Sequence, residues 1–147
     1  MRLVLRDLGI AVLFMIAGNS VLALLGYLLK VTPSPGVLSL FPNGPTEIAL
    51  YVTLTFTASI CEEILFRGYL QRQFAALTKS TAGGLMLQGV AFGTSHGYQG
   101  WKHMCIIAAY GCLLGLLAYW RRSLRPGMMA HFVQDTVGGL LGRYLMK

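Results

Sequence analysis

The chain has 147 residues, 55% of them hydrophobic and only 12% charged, with a formal net charge of +7. A soluble domain carries about 25% charged residues, so this chain has too little charge to coat a water-facing surface. No continuous basic face can form between its apolar runs, which excludes nucleic acid as a partner. The positive balance suits loops lying against the anionic headgroups of a lipid bilayer, and one domain is expected at this length.

Residues Leu8 to Leu29 form an apolar run of bilayer-spanning length, preceded by Arg2 and Arg6. It runs too far for the short apolar region of a cleaved signal peptide, so a retained membrane helix is expected over residues 1–30. Asn19 and Ser20 within it are expected at helix contacts. Val31 to Pro45 holds four prolines and two glycines and reads as a loop. A second helix should begin near Thr46 with Glu47 in its first turn. It stays apolar to Ile60, then continues through Glu62, Glu63 and Arg67 to Phe74 as an amphipathic, basic half emerging into the headgroups.

Thr78 to Thr81 reads as a polar turn, followed by a third apolar helix from about Ala82 to Ser95, reaching His96. Gly97, Gly100 and Lys102 mark a short connection that could be re-entrant. Met104 to Trp120 is a fourth helix, ending on the interfacial anchors Tyr119 and Trp120. Gly111 and Gly115 on it have the GxxxG spacing that packs helices within or between chains. A loop with Arg121, Arg122 and Arg125 leads to a fifth helix, from about Gly127 to Met146. The expected fold is therefore an all-α, polytopic bundle of about five membrane helices.

Alternating helices put Arg2, Arg6, Arg67, Arg72, Lys79, Arg121, Arg122 and Arg125 on one side, against Lys30, Lys102, Arg143 and Lys147 on the other. The positive-inside rule makes the first side cytoplasmic, with the N-terminus there, in a membrane read as the plasma membrane. Cys61, Cys105 and Cys112 form no CxxC pair and no disulfide framework, and read as small apolar helix residues.

Ionisable side chains inside membrane helices are costly and mark function. Here they are Glu62, Glu63 and Arg67, then His96, then His131 and Asp135. Carboxylates and imidazoles are the parts of general acid–base catalysis, and also metal ligands. Glu63 and Arg67 are four apart and can pair on one helix face, as can His131 and Asp135. Glu62 lies about 100° around the helix from Glu63, free to face a separate cavity. Glu62 is 17 residues before Lys79 and His96 is 17 after it. Straight helices would bring both to a similar depth, about 25 Å from the turn. His131 follows Arg125 by six residues, so a shared site is expected in the cytoplasmic half. The bland alternatives are an interfacial ion pair, a hydrogen-bonded packing histidine and a satisfied polar pair. His103, between Lys102 and Met104, is given no chemistry.

Glu62–Arg67 forms an EExxxR motif, Phe92–His96 an FxxxH motif and His131–Asp135 an HxxxN/D motif, in that order on successive helices. Together they resemble the CPBP (Abi) family of intramembrane proteases, the CAAX prenyl protease and bacteriocin-processing enzymes, over roughly residues 46–147. The resemblance implies a glutamate-dependent endopeptidase acting on a membrane-proximal peptide, such as a CAAX-type tail or a bacteriocin leader, without a covalent intermediate. It casts Glu62 as the residue that deprotonates water together with His96, and Glu63 and Arg67 as supports. His131 and Asp135 then polarise the scissile carbonyl. Where this chain has Asp135 some members have Asn; an ionised Asp cannot donate to an oxyanion, so Asp135 must be protonated, orient His131 or bind a metal. Glu62, His96, His131 and Asp135 could together form a mixed N/O site for a divalent metal such as zinc, although HExxH is absent and a metal-free site is favoured. The chain is short for the family, so closure of the cavity is expected to be incomplete. The competing readings are a non-catalytic immunity or scaffolding protein that keeps the fold, and a small proton-coupled transporter.

Overall fold

The structure, a computed structural model, describes residues 2–32 and 35–145. The expected ends of the last helix at Met146 and of the chain at Lys147 lie outside the described residues. Among the described residues there is no strand. Helix α1 runs Arg2–Leu29, the single turn α2 Pro35–Leu38, and α3 Pro45–Glu62. A π-helical segment, Glu63–Leu70, joins α3 without a break to α4, Gln71–Thr78. Then come α5 (Thr81–Ser95), a 3-10 turn (Gly97–Gln99), α6 (Trp101–Arg121) and α7 (Arg125–Leu145).

Local chemistry sets these boundaries. Pro45 opens α3, where its missing N–H is no loss, and the Glu47 carboxylate accepts a 2.7 Å bond from the Asn43 N–H. Lys79 closes α4 in the left-handed region at φ 53°, and the Ser80 hydroxyl caps α5 by accepting from the Gly83 N–H at 3.2 Å. The connection after His96 is the 3-10 turn and Gly100 at φ 90°, which leads directly into α6. The Pro-rich stretch expected as bare loop contains α2.

Among the described residues, three helical stretches are long and apolar enough to cross a membrane: Leu3–Leu29, Pro45–Thr78 and Trp101–Arg121. The expected count of about five separates into these three, the more polar α7, and α5, whose 15 residues span about 22 Å. That falls short of a hydrocarbon layer of about 30 Å, and α5 is instead clasped between α4 and α6.

Burial is inverted relative to a soluble protein. Leu13, Ile16, Leu24, Leu54, Leu77 and Met86 are exposed, while Asp7, Ser59, Glu63, Arg67, Gln88 and His131 are buried. Along the π segment, Ile64, Leu65 and Tyr69 face outward and Glu63, Phe66 and Arg67 inward. This half of the helix therefore points Glu63, Arg67 and Gln71 into the bundle, while Arg72 and Gln73 stay exposed. Lipid makes this arrangement stable, because the apolar exterior needs no water and polar groups find partners inside. Asn19 and Ser20 depart from expectation as well: both are exposed, and the Ser20 hydroxyl donates back to the Ile16 carbonyl at 2.9 Å.

Glycines bring α5 and α6 together. A Cβ on Gly111 would lie 3.1 Å from the Gly89 Cα and 3.0 Å from the Phe92 ring. One on Gly115 would lie 2.6 Å from the Gln88 amide. The GxxxG pair thus packs within the chain. Its bared carbonyls also serve as acceptors: Gln88 donates to Gly111 at 2.9 Å and Gln71 to Gly115 at 3.2 Å. Asp7 gathers Arg6, Arg121 and Arg125 at one end of the bundle. At the other end the Lys102 ammonium donates to the Lys30 carbonyl at 2.9 Å. The N-terminus of α1 and the α6–α7 loop therefore share a side, as the loop charges implied.

A Cβ on Gly93 would run into the Met104 carbonyl and Ala108, whereas one on Gly26 would meet nothing within 4 Å. Gly93→Ala is expected to destabilise the detergent-solubilised protein by about 1–3 kcal/mol through overpacking. Gly26→Ala should be neutral or slightly stabilising, since alanine is the better helix former. Equal melting temperatures for the two variants would refute the close-packing account.

Candidate active site

The EExxxR motif begins where α3 passes into the π segment. The wider turn of a π-helix is uncommon and concentrates at functional sites. Here it carries Glu63 and Arg67 into the interior with both side chains fully buried, 3.1 Å apart between Glu63 Oε1 and Arg67 Nη1. The guanidinium lies 4.1 Å from the centroid of the Phe92 ring and donates weakly, at 3.5 Å, to the Gly111 carbonyl. A cation between a carboxylate, an aromatic face and a bared carbonyl is compensated on several sides. Glycine at 127 leaves room for the carboxylate: a Cβ there would lie 2.9 Å from Glu63 Oε2.

Glu63 also reaches α7. Its Oε1 accepts from His131 Nδ1 at 3.1 Å. A carboxylate can only accept, so Nδ1 carries the proton and His131 Nε2 points the other way. That nitrogen lies 3.6 Å from Glu62 Oε2 and 3.5 Å from Asp135 Oδ2. His131 is thus clasped by three carboxylates, one buried behind it and two partly exposed in front. The EExxxR and HxxxD motifs form one connected group.

His96 caps the C-terminal end of α5. Its Nδ1 lies 2.9 Å from the Phe92 carbonyl, again an acceptor only, so Nδ1 is the protonated nitrogen and a neutral ring keeps Nε2 as a free lone pair. The Phe92 ring sits edge-on to both His96, at 5.0 Å, and His131, at 5.7 Å. His96, His131 and Asp135 line one cavity of about 360 Å³. Glu62 is not in its wall; it meets the site through His131, and its side chain is 30% exposed. Among the described residues Glu62 and His96 form no direct ion pair.

Two tyrosines missed by the sequence reading complete the wall. Tyr110 is buried beside His131, ring centroids 5.8 Å apart, and its hydroxyl has no hydrogen-bond partner among the described residues. Tyr51 donates from its hydroxyl to the Asp135 carbonyl at 3.2 Å. Neither belongs to a motif; only a buried polar group on an apolar helix face could have flagged them. Val37, Leu40 and Phe41, from the stretch expected to be bare loop, also line the cavity.

One expectation fails here. The cavity does not lie toward the arginine-bearing end. Its outer wall comes from Leu22, α2 and the Tyr98–Gln99 turn, elements at the end marked by Lys30 and Lys102. The expectation failed because it measured His131 from Arg125 and ignored that α7 points its next two turns, Gln134 to Gly139, away from that loop. As to the metal alternative, among the described residues no group of three or more His, Cys, Asp or Glu side chains is arranged to hold a metal ion.

None of the cysteines is in a disulfide, and none lines the cavity. His103 lies in the first turn of α6, outside the cavity wall.

No curated protein and no solved structure matches the chain. Residues 44–137, more than half of the chain and all three motifs, match the family described as Type II CAAX prenyl endopeptidase Rce1-like. With its membrane-spanning helices and an interior group of carboxylates and imidazoles, the chain belongs to this family of CAAX-type intramembrane endopeptidases.

Proposed function

We propose that the chain hydrolyses a membrane-proximal peptide bond by activating a water between Glu62 and His96. The observation that carries this reading is the front of His131, where Nε2 faces Glu62 at 3.6 Å and Asp135 at 3.5 Å beside a cavity that also holds His96. Glu62 takes the proton from the water as it attacks the carbonyl carbon. His96 Nε2 accepts a hydrogen bond from the same water and orients it. The tetrahedral oxyanion is met by the N–H of protonated His131. Asp135 then has a physical role that Asn would fill less well: its charge stabilises the imidazolium that donates. The proton on Glu62 passes to the leaving amine. The orphan hydroxyl of Tyr110 is a further donor available to the substrate carbonyl.

Glu63 and Arg67 stand behind this chemistry. Glu63 holds the His131 ring through Nδ1, and Arg67 pairs with the same carboxylate oxygen.

Glu62→Gln and His96→Ala are each expected to lower kcat on a prenylated CAAX peptide by about 10²–10⁴-fold, the usual worth of general acid–base catalysis. The melting temperature should hold, and His103→Ala should be neutral. A Glu62→Gln protein with full activity would end the water-activation mechanism.

Glu63→Gln should behave differently. Breaking a buried pair on one side costs about 3–5 kcal/mol, so both stability and activity fall. Adding Arg67→Met removes the uncompensated charge and should restore most of the stability. Activity should stay low, because His131 still lacks its carboxylate anchor. Recovery of both together would reduce Glu63 to a structural residue.

By the positive-inside rule, the arginine-bearing end lies in the cytoplasm of a plasma membrane. The cavity then takes its peptide from the opposite side. With Cys61 and Cys105 replaced by serine, an impermeant maleimide applied to whole cells should label Tyr98→Cys and spare Arg122→Cys, both positions being exposed. The reverse labelling would turn the cavity mouth to the cytoplasm and make a cytoplasmic tail the substrate.

A further inference from the structure

A second concavity shares no lining residue with the catalytic cavity. It is an almost wholly apolar groove of about 640 Å³ between α1 and α6. Ile10, Phe14, Ala17 and Val21 form one wall at helical spacing, and Leu113 and Trp120 stand on the other. Ile10 to Val21 covers about 16 Å of helix axis, so the groove runs along the bundle surface parallel to the direction of a lipid chain.

One end of the groove is strongly charged. One turn before Ile10, Asp7 is buried at 1% exposure, with Arg125 at 2.9 Å, Arg121 at 3.6 Å and Arg6 at 3.8 Å. One carboxylate among three guanidiniums leaves two positive charges uncompensated in this group. The Arg121 Nε is buried and has no hydrogen-bond partner among the described residues. The same Arg121 guanidinium lies 5.3 Å from the centroid of the Trp120 ring, which itself forms the groove wall. The unmatched cation and the apolar channel are therefore joined by one pair of consecutive residues.

We propose that this is a binding site for an anionic phospholipid, with an acyl chain in the α1–α6 groove and the phosphate on Arg121, Arg6 and Arg125. The charge at the groove end selects the occupant: a neutral chain would fill the groove and leave the guanidiniums unmet, whereas a phosphate diester supplies acceptors for the Arg121 N–H and its neighbours. The lipid would bridge α1 and α6 along the groove that runs beside their direct contact.

The test is native mass spectrometry of the full chain in detergent, titrated separately with phosphatidylglycerol, phosphatidylcholine of the same chains, and glycerophosphoglycerol, which has the headgroup without chains. Phosphatidylglycerol should be retained at least about fivefold more tightly than phosphatidylcholine, the worth of one favourable cation at a lipid surface. The chainless headgroup should not bind. Arg121→Gln should abolish the preference between the two lipids, and Ala17→Phe, which fills the groove from an exposed position, should weaken both. A melting curve confirms that each variant is folded; Arg6→Gln, at an exposed member of the group, replaces Arg121→Gln if that variant unfolds. Equal retention of the two lipids by the unaltered chain would overturn the proposal. So would unchanged binding in Ala17→Phe, binding of the headgroup alone, or a dimer that phosphatidylglycerol does not displace.

Discussion

The structure depends on one buried contact, the shared Glu63 Oε1 that meets Arg67 at 3.1 Å within its own helix and His131 at 3.1 Å across the bundle. In a hydrocarbon setting neither charge can turn to water, so the alternative to pairing is an isolated ion, a cost of several kcal/mol or more. That asymmetry fixes the rotation of the helix after Glu62 and the rotation of α7 against it. Phe92 follows, because its ring is both the face under the guanidinium and the edge between His96 and His131. Three helices are thus oriented by interactions that all pass through one carboxylate and one ring.

Burying so much polarity requires close approach of the backbone, and glycine supplies it. Gly111 and Gly115 expose carbonyls that accept from Gln88, Gln71 and Arg67. Gly127 makes room for the Glu63 carboxylate. These positions do little for helix stability, since glycine is a poor helix former. Their value is that they let polar side chains replace the water that the bilayer excludes. The same economy leaves an apolar exterior facing lipid and a polar interior free to hold a wet cavity.

The sequence made the helices legible because their signals are local: the apolar runs are helical, and the helices expected near Thr46 and Ala82 begin one residue earlier, at Pro45 and Thr81. The three motifs were legible as spacings, and the Glu63–Arg67 pair followed from an i,i+4 rule. What spacing could not show was the cross-helix bond from Glu63 to His131, which exists only once α7 is packed. The π segment was hidden for a similar reason: its residues would read as ordinary α-helix, and tertiary packing of two buried charges selects the wider turn. Asn19 and Ser20 misled because a polar residue on a membrane helix can satisfy itself against its own backbone, as Ser20 does. The direction of the cavity was misjudged because distance along a helix does not say which elements close over its far end.

Those closing elements lie partly outside residues 44–137. Leu22 of α1 and Val37, Leu40 and Phe41 around α2 complete the cavity wall. At its other end α1 contributes Asp7, whose bonds to Arg121 and Arg125 hold the loop that launches α7. That clamp sets the axial position of α7, and the Glu63 bond six residues later sets its rotation. With both fixed, His131 Nε2 and Asp135 have only one place to meet Glu62. The N-terminal helix therefore acts on the candidate site from a distance. It does not touch the reacting groups, but it holds one end of the helix that carries two of them.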